Sequence, residues 1–245
     1  MIALSNVSVT YPGGVEALKP VSTAFERGRF TVLLGRSGAG KSTLLRCLND
    51  LTPPSTGEVT VEGLGSLSNP ATRREHRRRT GMIFQMHQLH GRYSALRNVL
   101  VGRLASFSTL RSLFPLPEAD QVLALRCLDR VGLLHKALSR VDALSGGERQ
   151  RVGIARALCQ QPATMLADEP VASLDPSTAR SVLGLLREIC EADRLTAVVS
   201  LHQVDLARDY AERIIGLSAG EVVFDDTPSK LDDRALRRIY RDRVS

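Results

Sequence analysis

An apolar run, Phe30–Leu34, leads directly into Gly35-Arg36-Ser37-Gly38-Ala39-Gly40-Lys41-Ser42, and a helical pattern follows over residues 41–49. This strand, glycine loop and helix in immediate succession constrain the chain more than any other feature. The loop fits the P-loop pattern G-x-x-x-x-G-K-[ST]. Its glycines let the main chain close around phosphate groups, where a side chain would collide. The loop N–H groups and the helix N-terminus supply donors and a positive dipole end. In such a loop Lys41 neutralises charge between β- and γ-phosphates, and the Ser42 hydroxyl is placed to bind Mg²⁺. The candidate nucleotide-binding residues here are Gly35, Arg36, Ser37, Gly38, Ala39, Gly40, Lys41, Ser42 and Thr43.

A strand before such a loop belongs to a parallel sheet buried on both faces. Three further runs read as strands of that kind, over residues 82–84, 164–167 and 196–200. They are β-branched or apolar and alternate with helical patterns, which predicts an α/β sheet with crossover helices. The N-terminal texture differs. Residues 2–10 and 58–62 alternate like half-exposed strands, with a Pro-Gly-Gly turn at residues 12–14, so an antiparallel layer is expected beside the parallel sheet. From residue 90 to 143 no strong strand occurs. Val122, Leu125 and Leu128 fall at helical spacing in residues 118–131, and Gly132 follows as a helix stop. A helical subdomain over about residues 88–150, inserted in one domain of residues 1–245, is the expected organisation.

Two more motifs carry chemistry. Thr164–Ala167 ends in Asp168-Glu169-Pro170. Asp168 is a candidate Mg²⁺ ligand, and Glu169 is a candidate to polarise an attacking water. Adjacent strand residues point to opposite faces unless the chain turns. Pro170 predicts that turn, so both carboxylates can approach one phosphate. The other motif is Leu144-Ser145-Gly146-Gly147-Glu148, which opens a helix. Ser145 is its natural N-cap, and the two glycines leave room for a phosphate to approach. A second phosphate-ready helix start makes sense if it caps a phosphate held in the loop of another protomer.

These motifs resemble those of ABC ATPases, and the resemblance covers essentially the whole chain. Residues 144–148 are similar to the family's signature motif, with Glu148 where Gln is usual. Tyr11 resembles the aromatic residue that stacks on adenine. Gln85 resembles the glutamine that senses metal and water, Asp175 belongs to a D-loop-like Ser173-Leu174-Asp175, and His202 resembles the switch histidine. The family implies a P-loop NTPase core that binds ATP and Mg²⁺, with Ser42, Gln85 and Asp168 around the metal and Glu169 and His202 catalytic. It also implies a head-to-tail homodimer with each ATP between Lys41 of one chain and Ser145 of the other. Residues 98–104, 111–114, 170–176, 202–207 and 210–216 are more narrowly similar to ATPase subunits of phosphonate importers, a branch that includes phosphite importers. Two permease subunits, an external solute-binding protein and a peripheral place on the cytoplasmic face of the inner membrane follow from that resemblance. An ABC exporter or lipoprotein-release ATPase is the alternative, differing in permease and not in catalytic chemistry.

Composition narrows the remaining classes. The net charge is +7, concentrated in Arg73, Arg74, His76, Arg77, Arg78 and Arg79, which read as a solvated helix face. Aromatic residues make up 4% with no Trp, which argues against a stacking platform for nucleic acid. A small-molecule kinase would share the glycine loop but gives no reason for residues 145–148. A chromosome-type ABC ATPase needs a long coiled-coil insertion, and residues 85–145 are too few. No apolar window is long enough to span a membrane, and residues 1–11 lack a signal-peptide layout, so a cytoplasmic chain is expected. Cys47, Cys127, Cys159 and Cys190 form no CxxC pair and read as buried thiols.

Overall fold

The computed structural model describes residues 1–84, 88–107 and 117–240. Strands β1 (Ile2–Tyr11), β2 (Val15–Phe25), β4 (Thr56–Val61) and β5 (Gly65–Ser66) form an antiparallel sheet in the order β2-β1-β4-β5. Strands β3 (Phe30–Leu34), β6 (Thr80–Ile83), β7 (Thr164–Ala167), β8 (Thr196–Leu201), β9 (Arg213–Ser218) and β10 (Glu221–Asp226) form a second sheet, ordered β10-β9-β3-β8-β7-β6. Its pairs are parallel except β9 with β10. The helices are α1 (Lys41–Leu48), α2 (Pro70–Arg78), α3 (Ala95–Leu100), α4 (Glu118–Arg130), α5 (Gly146–Cys159), α6 (Pro176–Ala192), α7 (Val204–Tyr210) and α8 (Asp233–Ile239).

The apolar strands split their side chains between two cores, as period-2 alternation requires. Leu33, Leu166 and Val198 pack with α1 and the antiparallel sheet. Their neighbours Val32, Leu34, Met165, Ala167, Val199 and Leu201 pack on the other side with α4, α5 and α6. With both faces covered, these strands carry no charged residue, and their polar residues Thr31, Thr164, Thr196 and Ser200 are buried. α3, α4 and α5, which follow β6 and precede β7 in the chain, pack together and form the helical insertion.

Several details differ from the sequence reading. The strand expected at 82–84 begins earlier, at Thr80, because residues 80–83 pair in register with 164–167 of β7. β2 has no counterpart in the sequence reading; it is an edge strand that contains Pro20, a position where an edge tolerates the missing N–H. In α4 the buried face is Asp120, Ala124, Cys127 and Leu128, whereas Val122 is exposed. α4 packs that face on α3 and α5, and Asp120 is accommodated there by Arg103 at 2.7 Å. Gly132 (φ 72) does end the helix, with Leu133 N donating to Leu128 O.

The basic run on α2 is only partly a solvated face. His76 is buried, its Nε2 2.8 Å from Leu48 O, and Arg73 and Arg77 reach Asp50. These contacts fasten α2 to the end of α1. All four cysteines are buried and free. Among the described residues, no helix is long and apolar enough to cross a membrane.

Candidate functional site

The site lies beyond the carboxyl ends of β3, β7 and β8, where open α/β sheets place ligands. β3 delivers residues 35–40 and α1 receives them. A Cβ on Gly35 would stand 2.5 Å from Leu217 O, and one on Gly40 (φ 104) 2.8 Å from Ala17 O. The loop can therefore lie against its neighbours only as glycine at these two points. Arg36, Ser37 and Gly38 form its exposed crest, and Ala39 is buried beneath. Gly40 caps α1 without a side chain, which leaves the first N–H groups of the helix facing the loop.

Lys41 is 3% exposed. Its Nζ donates to Gly35 O at 2.7 Å and Arg36 O at 3.0 Å, and stands 3.6 Å from Glu169 Oε1. Burial lowers its pKa, and the Glu169 carboxylate opposes that shift. Thr43 sits one residue past Ser42, its Oγ1 3.3 Å from the Tyr11 hydroxyl, which ties the end of β1 to the base of the loop.

β7 and β8 supply the acidic half. Asp168 Oδ1 accepts from Ser42 Oγ at 2.8 Å and from Ser200 Oγ at 2.9 Å. The chain turn expected at Pro170 occurs one residue earlier: Glu169 itself adopts φ 49. That left-handed step swings the Glu169 carboxylate to the same side as Asp168. Its Oε2 lies 2.9 Å from His202 Nε2. Lys41, Ser42, Asp168, Glu169 and His202 thus meet in one place. Ser42 and Asp168 offer two hard oxygen donors 2.8 Å apart, which suits Mg²⁺, an ion that takes few protein ligands and keeps the rest for water and phosphate. Among the described residues no His, Cys, Asp or Glu cluster forms a metal cage of its own. Gln85, and the segment 111–114, lie outside the described residues.

Ser145 caps α5 in a reciprocal box. Its Oγ accepts from Glu148 N at 3.2 Å, and Glu148 Oε2 accepts from Ser145 N at 2.9 Å. Glu148 also pairs with Lys136, and these bonds pull its pKa down to about 2. The glycines have a packing reason beside the one read from sequence. A Cβ on Gly147 would stand 2.5 Å from Thr178 Cγ2, and one on Gly146 3.3 Å from Leu174 Cδ2. Leu174 and Thr178 flank Asp175, which caps α6 by accepting from Ser177 N and Thr178 N. α5 and α1 cover opposite faces of the large sheet, so Ser145 and Lys41 belong to different sides of one chain.

Sequence reasoning missed three contributors. Ser200 reads only as a strand residue until β7 and β8 are paired. Tyr240, after α8, donates its hydroxyl to His202 O at 2.8 Å. Lys136 has no local signal, since it meets Glu148 twelve positions further on.

The ABC transporter family model matches residues 18–172, and the chain belongs to that family. The core is the P-loop NTPase α/β fold of ABC ATPases, with its antiparallel layer and helical insertion. The chain is 64% identical over 243 residues to the phosphite import ATP-binding protein PxtA of Stutzerimonas stutzeri, covering 99% of this chain and 88% of that protein. It is 61% identical over 240 residues to the phosphonates import ATP-binding protein PhnC 3 of Nostoc sp., covering 98% and 92%. Among solved structures, the dimeric post-hydrolysis state of the ATP-binding cassette MJ0796, bound to ADP and Pi, superposes with TM-score 0.80 at 34% identity, covering 93% of this chain and 99% of that one. The ADP conformation of the cassette MJ1267 gives 0.84 at 25% identity, covering 97% of both.

Proposed function

We propose that this chain is the ATP-hydrolysing subunit of an importer for phosphonate- or phosphite-like solutes, working as a homodimer beneath two permease subunits. The observation that carries the reading is the convergence of Lys41, Ser42, Asp168, Glu169 and His202 at the ends of β7, β8 and the glycine loop. The names of the relatives support the solute class.

In this reading the phosphates of ATP compete with Gly35 O and Arg36 O for the Lys41 ammonium. Lys41 turns to the phosphates, and the loop N–H groups and α1 N-terminus receive their oxygens. Mg²⁺, when bound with the nucleotide, would neutralise phosphate charge; Ser42, Gln85 and Asp168 would hold it, Asp168 directly or through water. Glu169 accepts a proton from the attacking water, and His202 holds the Glu169 carboxylate in place. Tyr11 stacks on adenine. Ser145, Gly146 and Gly147 of the partner chain close over the γ-phosphate, and Glu148 holds that helix start in its cap.

The helical subdomain over residues 88–150 carries this closure to the permeases, with Gln85 at its root, and a periplasmic or extracellular binding protein delivers the solute. The chain then works as a peripheral protein on the cytoplasmic face of the inner membrane. Reconstitution with its permeases tests the whole proposal. ATP turnover should rise when binding protein loaded with phosphonate or phosphite is added outside. Turnover indifferent to loaded binding protein would overturn the importer reading.

A further inference from the structure

β7 and β8 run parallel with Ala167 beside Val199. One residue further, the register sets Asp168 beside Ser200. Ser200 is fully buried. Its hydroxyl donates to Asp168 Oδ1 at 2.9 Å and accepts from Glu169 N at 2.8 Å. A hydroxyl has one proton and two lone pairs, so this single group uses its proton on one carboxylate residue and a lone pair on the next.

The second bond falls where the backbone most needs support. Glu169 is at φ 49, uncommon for a residue with a side chain, and it precedes proline, which narrows its choices further. Such a conformation persists only where the surroundings over-determine it. Ser200 Oγ is one determinant, since it fixes the direction of the Glu169 N–H. The first bond matters for a different reason. Ser42 shares Asp168 Oδ1 in this structure but is the residue proposed to turn towards Mg²⁺. Ser200, enclosed within β8, stays on Asp168 when Ser42 leaves.

We infer that Ser200 is a positioning residue for hydrolysis, its hydroxyl locking the Asp168 carboxylate and the left-handed turn of Glu169 into one unit. The inference rests on the proposed ATPase reading, in which Asp168 and Glu169 act on the nucleotide. Ser200 touches no substrate in that scheme. Its effect is to set where the Glu169 carboxylate points relative to the phosphate site that Lys41 and the loop define.

The test compares Ser200→Ala and Ser200→Thr with the wild type. Threonine keeps the hydroxyl and suits a strand. In the nucleotide-free, metal-free chain, hydrogen exchange at the Glu169 amide should quicken by about tenfold or more in Ser200→Ala, while the Asp168 amide, which donates to Ile83 O, keeps its protection. With permeases present, kcat should fall by about 10–100-fold, as for loss of a group that orients a ligand, while the KM for ATP stays within about threefold. Ser200→Thr should recover most of both. An unchanged Glu169 exchange rate or a wild-type kcat in Ser200→Ala would overturn the inference. So would a parallel loss of kcat and ATP affinity with a lowered Tm, which marks a purely structural serine. If the wild type itself hydrolyses no ATP, the proposed function fails, and the exchange measurement still decides whether Ser200 holds the Glu169 turn.

Discussion

If Glu169 is the general base, Glu169→Gln should separate ATP binding from hydrolysis. Both carboxylate oxygens are engaged: Oε2 with His202 Nε2 at 2.9 Å, and Oε1 facing Lys41 Nζ at 3.6 Å. The amide preserves the shape and one acceptor, so His202 keeps a partner. It cannot take a proton, which removes general-base catalysis and should slow single-turnover hydrolysis by about 10²–10⁴-fold. That range corresponds to roughly 2.7–5.5 kcal/mol of barrier. The second consequence falls on Lys41. At 3.6 Å the pair is worth a gross attraction of about 4–5 kcal/mol at an effective dielectric constant near 20. Lys41 keeps its two carbonyl acceptors, so the net loss of stability in the nucleotide-free variant should be smaller, about 1–3 kcal/mol. The counter-charge raises the Lys41 pKa against burial, so its loss lowers that pKa further. ATP brings negative charge to the same ammonium, so its affinity should stay equal or rise, and the closed dimer should persist. Adding Ser145→Arg should abolish that trapped dimer by obstructing the partner's phosphate site. The assays are rapid-quench hydrolysis with permease present and ATP-dependent sedimentation. A Glu169→Gln protein that hydrolyses ATP at the wild-type rate would refute this account of Glu169.

Tyr11→Ala should weaken ATP binding by about 1–3 kcal/mol, as for other base–aromatic stacks, while Tyr11→Phe, which loses only the contact to Thr43 Oγ1, should be mild in calorimetric titration. Gly147→Ala should destabilise the chain by about 1–3 kcal/mol through its contact with Thr178, and Thr178→Ala in the same chain should recover most of it in urea unfolding. Glu148→Gln keeps the cap but loses the charge pair with Lys136, which is partly exposed and worth about 0.5–1 kcal/mol at neutral pH. The depressed Glu148 pKa makes that stabilisation complete above the unfolded value near 4.5 and lost as pH falls towards about 2, so the two proteins should converge in stability across that window.

Much of the site was legible because its parts are local. The glycine loop, Asp168-Glu169 and the Ser145 cap each depend on residues within a few positions, and hydrophobic runs marked the strands that carry them. What stayed hidden depends on pairing between distant segments. Ser200 acquires its partners only when Ala167 is set beside Val199. Tyr240 reaches His202 O because α8 folds back over β9. His76 reads from sequence as one more basic surface residue, and the contacts that bury it, to Leu48 O at the end of α1 and to Thr80 of β6, exist only in the fold. The two glycines after Ser145 suggested space for phosphate, and that reading could not see Thr178, which lies 31 positions further on (178 − 147). β2 escaped notice because an edge strand carries charges and a proline where a buried strand carries valines.

The most direct test of the central claim is phosphate release from Mg·ATP by the permease-bound chain, wild type against Lys41→Ala. The wild type should hydrolyse ATP steadily and Lys41→Ala essentially not at all, with circular dichroism showing both proteins folded. Hydrolysis by a folded Lys41→Ala protein at the wild-type rate would contradict it.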